Sequence, residues 1–533
     1  MSAATQTWSA ETVVWRPKVN PWVIGVTVSM AAFLEVLDTS IANVALPYIA
    51  GNLGASYDDS TWVLTSYLAA NAIVLPISGW LAEVIGRKRY FLISLVVFTV
   101  SSLLCGLAPS LPMLLLFRAL QGVGGGGLQP MAQAILNDTF PPEERGLAFA
   151  LYGITAVLAP TLGPMLGGWI TDNYSWRWIF FIKLPVAALA LYLTYTLVED
   201  PPFLRRLKRG GVRVDYLGIA MLSLGVGSLQ IVLDKGQEDD WFGSHFIVTL
   251  VVIATVCLIS LAVWEWFRQE PIIDVRLFKN FNFAAANLMM FMMGIMLFST
   301  LVMIPEFLQT LMGYTAELAG LVLSASGFVL LLMMPIVGRL TTKIPSRYLI
   351  AAGWCALALG LYYSAYRMDL LISFRFAMWL RVAQVIGIGF LFVPITMAGY
   401  IGIPVEKGNS VSGMVNFMRN IGSSIGTSIV TTMLARRAQY HQQILVGHIT
   451  PDSPWFREAL RALTKHIAAS GLSAYDAHLQ AIARLYAQLN RQAHTLAYVD
   501  TFWVLAALSA VMFVLAFFLK KNDPTAGGSV AVG

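Results

Sequence analysis

Charge is scarce in this chain. Of its 533 residues only 12% are Asp, Glu, Lys or Arg, while 57% are hydrophobic; an ordinary soluble domain carries roughly a quarter charged residues. A soluble enzyme or regulatory domain is excluded on that ground. Cysteine is scarce too: Cys105, Cys257 and Cys355 lie far apart, each inside an apolar run, which supports neither a disulfide framework nor a zinc site. The net charge of +6 is too diffuse for a nucleic-acid footprint. Neither GxxxxGK[ST] nor HExxH occurs, so ATP-driven pumping and zinc hydrolysis have no basis in the sequence. Gly124 to Gly127 is a glycine run between apolar turns rather than after a strand, and so no nucleotide loop. The segment Met1 to Pro21 is polar, and the apolar run behind it is too long for a cleavable signal.

Apolar sequence is what the chain has in abundance. A run of about 20 residues crosses a ~30 Å hydrocarbon core. Fourteen such runs fall near 22–46, 62–84, 90–108, 112–136, 147–169, 178–198, 215–234, 246–267, 283–308, 316–338, 348–366, 376–400, 409–434 and 499–519. The expectation is an all-α membrane protein of fourteen spans. With the N-terminus inside, cytoplasmic segments hold twenty Lys and Arg, including Arg16, Lys18, Arg87 to Arg89, five between Arg205 and Arg213, Lys407, Lys520 and Lys521. The short outer loops hold four, namely Arg177, Lys235, Arg367 and Arg375. The positive-inside rule then places both termini in the cytoplasm.

Residues 435–498 become an extracytoplasmic segment and read as two amphipathic helices. Ser453-Pro454 opens the first, with proline where a missing N–H costs nothing. Ser473 to Asp476 opens the second in capping-box style. Leu479, Ile482, Leu485 and Leu489 then follow at helical spacing. That stripe packs either on itself or on a partner. His441, His448, His466, His478 and His494 lie in this segment without metal-like spacing and read as solvated surface groups.

The chain also repeats itself. Pro76 to Leu81 recurs as Pro335 to Leu340, Arg118-Ala119-Leu120-Gln121 as Arg381-Val382-Ala383-Gln384, and Glu144-Arg145-Gly146 as Glu406-Lys407-Gly408, at offsets of 259, 263 and 262. Two parallel copies of a six-span unit are implied, with spans 7 and 8 left as an insert. The resulting division is a cytoplasmic N-terminus 1–21, a first bundle 22–198, an insert with its linkers 199–282, a second bundle 283–519 that contains the hairpin 435–498, and a tail 520–533. Two parallel repeats with a site between them at the midplane form a transporter plan suited to rocking.

Two acids interrupt the first span. Glu35 and Asp38 stand i, i+3 and share a helix face. An ionised Asp at the centre of a span costs about 2.5–3.5 kcal/mol even on the lenient insertion scale, so acids kept there serve as polar anchors or as a proton or substrate site. Arg118 is an intramembrane cation in span 4. Counted from the outer ends at 1.5 Å per residue, it lies about 9 Å deep and Asp38 roughly 13 Å deep, which allows a pair.

Three further motifs complete the pattern. Between spans 2 and 3, Gly79, Glu83, Gly86, Arg87 and Lys88 lie in a tight basic turn that can pair with the other half in only one of two states. In span 5, Pro160 and Pro164 kink the helix, while Gly163 and Gly167, with Gly168 beside them, form a GxxxG face for close helix approach. Tyr67, Asn71, Gln129, Gln133, Asn287, Asn416 and Arg419 are the polar residues expected on a central cavity wall. Arg419, near the midplane, suits anionic lipophilic compounds or serves as a packing partner. Met289 to Met296 offers either an adaptable wall or lipid-facing filler.

Together these residues resemble the major facilitator superfamily, and within it the fourteen-span drug:proton antiporters of the EmrB/QacA type. The run Leu37 to Pro47 resembles the family's span-1 signature, Gly79 to Arg89 its loop motif, Arg118 to Gly124 its span-4 motif linked to proton transfer, and Pro160 to Gly168 its antiporter motif. One departure is that Glu83-Val84 stands where the loop motif has Asp and a basic residue. The resemblance implies the major facilitator fold, two six-helix bundles related by a pseudo-two-fold axis plus two extra helices. It implies proton-coupled multidrug efflux with no cofactor beyond the proton-motive force, Glu35, Asp38 and Arg118 carrying the coupling. The outer segment resembles that of EmrB-like inner-membrane pumps, which work with an EmrA-like periplasmic adaptor and an outer-membrane channel. An importer or facilitator of one metabolite, such as a fatty acid or siderophore-like compound, would share the fold; the span-5 motif argues against it.

Overall fold

The computed structural model describes residues 17–201, 215–268, 271–404, 407–450 and 452–520. Arg16, the basic residues between Arg205 and Arg213, Glu406 and Lys521 lie outside the described residues. The first half holds α1 (Pro21–Leu53), α2 (Tyr57–Ile85), α3 (Arg87–Leu107), α4 (Leu111–Gly125), α5 (Leu128–Thr139), α6 (Arg145–Asn173), α7 (Trp178–Phe181) and α8 (Leu184–Leu197). The insert is α9 (Tyr216–Lys235) and α10 (His245–Phe267). The second half holds α11 (Phe281–Glu306), α12 (Ala316–Leu340), α13 (Ser346–Arg367), α14 (Phe374–Gly399), α15 (Gly408–His448), α16 (Pro454–Ala468) and α17 (Ala474–Ala516).

Among the described residues thirteen helices are long and apolar enough to cross a membrane. The expected span at 409–434 does not qualify, because α15 carries Asn409, Asn416 and Arg419 along with serines. Those polar groups are buried against the rest of the bundle, so α15 is a spanning helix that hides its polar side from lipid. Two spans are broken. The fourth divides into α4 and α5 at Gly126, and the sixth into α7 and α8, with Pro185 in the first turn of α8. Beyond Pro305, α11 passes into a π-helical turn, Phe307–Leu311.

The hairpin differs from its expectation. The first expected helix is present as α16, opened by Ser453 with Pro454 in its first turn. The second is not a separate helix: it is the start of the 43-residue α17, and α15 likewise runs 41 residues past its span. No proline or glycine interrupts 474–516, so nothing stops the helix at the membrane edge. Ser473 does cap α17, its hydroxyl accepting from the Asp476 N–H at 3.1 Å. The stripe also splits. Leu479 and Ile482 are exposed, while Ile467 of α16 packs against Ala477 and Ala481. His441 is not a free surface group, since its ring lies 2.7 Å from Asp500.

Packing follows the repeat. Within the first half α1 lies on α6, and across the halves α6 lies on α12 and α2 on α15. The insert is not remote from this seam, for α9 packs on both α2 and α15.

Candidate functional site

Asp38 sits at the centre of α1, fully buried. Its Oδ2 pairs with Arg118 Nη1 at 2.5 Å, and its Oδ1 accepts from Gln121 Nε2 at 2.9 Å and from the ammonium of Lys183. Arg118 is held by three further contacts: Nε donates to the Val63 carbonyl at 3.0 Å, Nη1 to Gln121 Oε1 at 2.9 Å, and the guanidinium lies 4.4 Å from the Tyr67 ring centre. Lys183 stands over the Phe180 ring at 5.1 Å. The expected Asp38–Arg118 pair is therefore present, and it has a third member. Lys183 escaped the sequence reading because it falls inside a span already counted as apolar; the argument that singled out Arg118 applies to it equally. One carboxylate here faces two basic side chains in a fully buried cluster.

Glu35, one turn away, is surrounded differently. Tyr67 Oη donates to its Oε1 at 3.2 Å and Asn71 Nδ2 at 3.0 Å, while Gln129 Nε2 donates to its Oε2. All three donors are neutral. The glycine run makes room for this shell, since a Cβ on Gly125 would lie 3.2 Å from Asn71 Nδ2 and 3.3 Å from Glu35 Cγ.

From Glu35 the network crosses to the second half. Gln129 Oε1 accepts from Arg419 Nη2, and Tyr152 Oη stands 2.8 Å from the same oxygen and 3.3 Å from Asn416 Oδ1. A phenol has one proton, so Tyr152 can serve only one of these acceptors at a time. Asn416 Nδ2 donates to Gln133 Oε1 at 2.8 Å. Six of the seven residues expected on a cavity wall are thus buried and joined in one network through Glu35 and Tyr152, a closed septum rather than an open wall. Asn287 stands apart, donating to the Phe283 carbonyl of its own helix at 2.9 Å. Tyr152 was not foreseen, because a lone tyrosine in an apolar span reads as core.

The second half carries the counterpart. Arg381 Nη1 donates to Thr300 Oγ1 at 2.7 Å and to Gln384 Oε1 at 3.3 Å. Thr300 stands where the repeat offset of 262 would place the partner of Asp38. The carboxylate of the first half has no equivalent there, so the bundles differ in charge at their cores.

At the face that bears Arg87, Lys88 and Lys407 the halves touch directly. A Cβ on Gly79 would lie 2.8 Å from Ser410 Cα, and the Glu83 carboxylate faces Ser410 and Lys407. Arg87 and Lys88 find their partners in the first half and in the linker that leaves it. Arg87 Nη1 pairs with Asp138 at 2.5 Å, and Lys88 donates from Nζ to the Tyr195 carbonyl at 2.6 Å and from its backbone N–H to Asp200 at 2.7 Å. The cross-half contact is made by Gly79 and Glu83 instead. Gly86 adopts φ +95°, a turn that glycine alone takes easily. In the linker before α11, burial works to raise the Asp274 carboxyl, but Lys407 and Arg276 outweigh it and hold it below the ordinary carboxylate range.

The span-5 motif joins α6 to α1. Pro164 has no N–H to give the Pro160 carbonyl four residues back, and Ser40 Oγ supplies the missing donor at 3.2 Å. A Cβ on Gly163 would lie 2.5 Å from Ser40 Cβ, and one on Gly167 3.1 Å from the Ile41 carbonyl; at Gly168 nothing stands within 4 Å. The helix that follows Asp38 by a few residues is thus seated on the kinked segment.

Two repeated bundles of membrane helices, meeting over a buried network of acids, amides and cations, define a multi-pass membrane transporter. The family model described as Major Facilitator Superfamily matches residues 28–427, and the chain belongs to that superfamily, among its EmrB-like proteins. It is 36% identical to the Multidrug export protein EmrB of Escherichia coli (strain K12), over 95% of this chain and 96% of that one. With the Multidrug export protein EmrB of Haemophilus influenzae it shares 38% identity, over 92% and 94% of the two chains. Among solved structures the proton:xylose symporter XylE superposes with a TM-score of 0.60 at 14% identity, covering 95% of this chain and 97% of that one; that likeness concerns the fold alone.

Proposed function

We propose that this chain is a proton-driven multidrug exporter, not an enzyme, of the inner membrane of a double-membraned bacterium, both termini cytoplasmic. The class, a multidrug-efflux transporter of the major facilitator superfamily, follows from relatives 36–38% identical over nearly the whole chain. Proton coupling rests on one observation, the amide bridge that ties Glu35 of the first half through Gln129 to Arg419 of the second.

The two acids divide the work. Neutralising Asp38 would leave Arg118 and Lys183 buried without a counter-charge, a costly state. Glu35 is bonded only by neutral donors and meets Arg419 through Gln129, so a proton on it breaks no direct ion pair. Once Glu35 is neutral it no longer orients Gln129 by charge, the hold on Arg419 weakens, and the halves part. A lipophilic substrate bearing an acceptor or acidic group then takes Arg419 from Gln129. Proton and substrate thereby compete for one network, which is the requirement for antiport. Basic residues at the closed face support the cytoplasmic assignment, and the hairpin of α15, α16 and α17 on the opposite face is the site for an EmrA-like periplasmic adaptor leading to an outer-membrane channel.

The test is export of lipophilic compounds from proteoliposomes with and without a pH gradient. Wild type should export only with the gradient. Glu35→Gln should lose that dependence, and Asp38→Asn should lose export while still inserted in the membrane. Gradient-dependent export by both variants would end the assignment.

A further inference from the structure

The insert has no part in the site described above, yet it carries a membrane acid that forms no ion pair among the described residues. Asp234 occupies the last turn of α9. Its Oδ1 accepts from Gln230 Nε2 at 3.0 Å, and its Oδ2 is buried without a partner. No cation pairs with it among the described residues. The adjacent Lys235 is committed elsewhere, with its ammonium 2.5 Å from Glu238, 3.1 Å from the Asp58 carbonyl and against the Thr61 hydroxyl. Asp38 has two cations in contact and Glu35 three donors, whereas Asp234 has one amide and the Thr65 hydroxyl, with Lys235 near but paired elsewhere.

The surroundings come from three helices. On α9 the charged neighbours are Lys235 and, just beyond, Glu238; α2 presents Thr65. On α15, Ser424 accepts from Gln230 Nε2 at 2.8 Å and lies 3.1 Å from Gln230 Oε1. Asn420, one turn along the same face of α15, has an unpartnered buried Oδ1. The far side of α9 is apolar, with Leu258 and Cys257 of α10 against Gly225. A folded loop seals the end of the helix: Trp241 N–H donates to the Gly236 carbonyl at 2.7 Å, its indole N–H to Gln237 at 3.1 Å, and Asp240 and Trp241 both hold positive φ.

We propose that Asp234 is a second proton-binding carboxylate, placed where α9 meets the two helices, α2 and α15, that join the halves. A proton on Oδ2 removes a buried charge that no cation pairs, at the oxygen left without a partner. Thr65 and Ser424 belong to different halves, so rocking moves them apart and alters the shell around the carboxyl. Proton occupancy at Asp234 therefore follows the conformation of the pair. The inserted helices carry a coupling site rather than serving only to fill space. The proposal rests on the proton-driven reading above.

The test is infrared difference spectroscopy of the protein in liposomes on acidification, beside counting of protons released per molecule of a lipophilic anionic dye exported. Wild type should gain a protonated-carboxyl band that Asp234→Asn lacks and Asp234→Glu shifts. The proton count should fall by about one in Asp234→Asn, and return in Asp234→Glu, which also controls for folding. A band unchanged in Asp234→Asn, or a band that sodium suppresses, would overturn the proposal; the sodium result would make this a metal-cation site. Should wild type keep the band yet export without proton coupling, the functional reading fails and the binding site stands. Coupled export with no Asp234 band does the opposite: the exporter remains proton-driven and the site at Asp234 is lost.

Discussion

At the scale of single residues, the two basic partners of Asp38 make an asymmetric prediction. Asp38→Asn strands Arg118 and Lys183 in a space both share with Phe180, and removing one partner of a buried pair costs about 3–5 kcal/mol. Lys183→Met leaves Asp38 still paired with Arg118 and bonded by Gln121, so no buried charge is left uncompensated. Thermal unfolding of the purified proteins in detergent should therefore rank Asp38→Asn well below Lys183→Met. The double variant should recover part of the loss. A lower midpoint for Lys183→Met than for Asp38→Asn would show that the second basic group is a structural necessity and the pairing argument wrong. Much of this cluster was legible beforehand. Depth along two helices paired Asp38 with Arg118, because helix rise is fixed. Lys183 was equally visible in principle, as a lysine in an apolar run. The partners of Gln129 were not, since amides bond in any direction and only the packed fold selects one.

At the scale of elements, proline and glycine explain where helices bend and where they meet. The GxxxG face of α6 and the doubled glycine beside it look alike in sequence, but only two of the three glycines touch anything. Gly163→Ala should push α6 away from Ser40 and lower export several-fold, because the added carbon meets not only the Ser40 hydroxyl but its β-carbon and backbone, which no rotamer change moves aside. Gly168→Ala should leave transport unchanged, since its side is open. Dye efflux from cells, normalised to membrane protein, separates the two. Equal loss in both would mean that the motif acts through backbone flexibility and not through contact. Helix positions were legible from apolar runs to within a few residues, whereas continuity was not. Hydropathy marks where lipid ends, and nothing in it says that α15 and α17 continue past that edge. Only the lack of breakers between Ala474 and Ala516 carried that information.

At the scale of the whole molecule, the repeat foretold two bundles, and the arrangement now describes one of their states. The halves are shut at the basic face, where Gly79 meets Ser410 and where a Cβ on Gly338 would lie 2.7 Å from the Gly146 carbonyl. Both contacts are backbone against backbone, so neither side can yield to an added side chain by changing a rotamer. Gly79→Leu should hold this face open. Spin labels at Arg89 and Lys343, exposed positions in the two halves, report the separation once Cys105, Cys257 and Cys355 are replaced. Parent protein without a gradient should give a predominantly short distance, and Gly79→Leu a longer one that acidification or substrate no longer changes. Export should fall in parallel, because a transporter confined to one state cannot cycle. If the Gly79→Leu distances match those of the parent and still respond to pH, the contact is incidental to closure. The rocking plane would then have to lie elsewhere, with α6 against α12 and α5 against α15 as further seams between the halves.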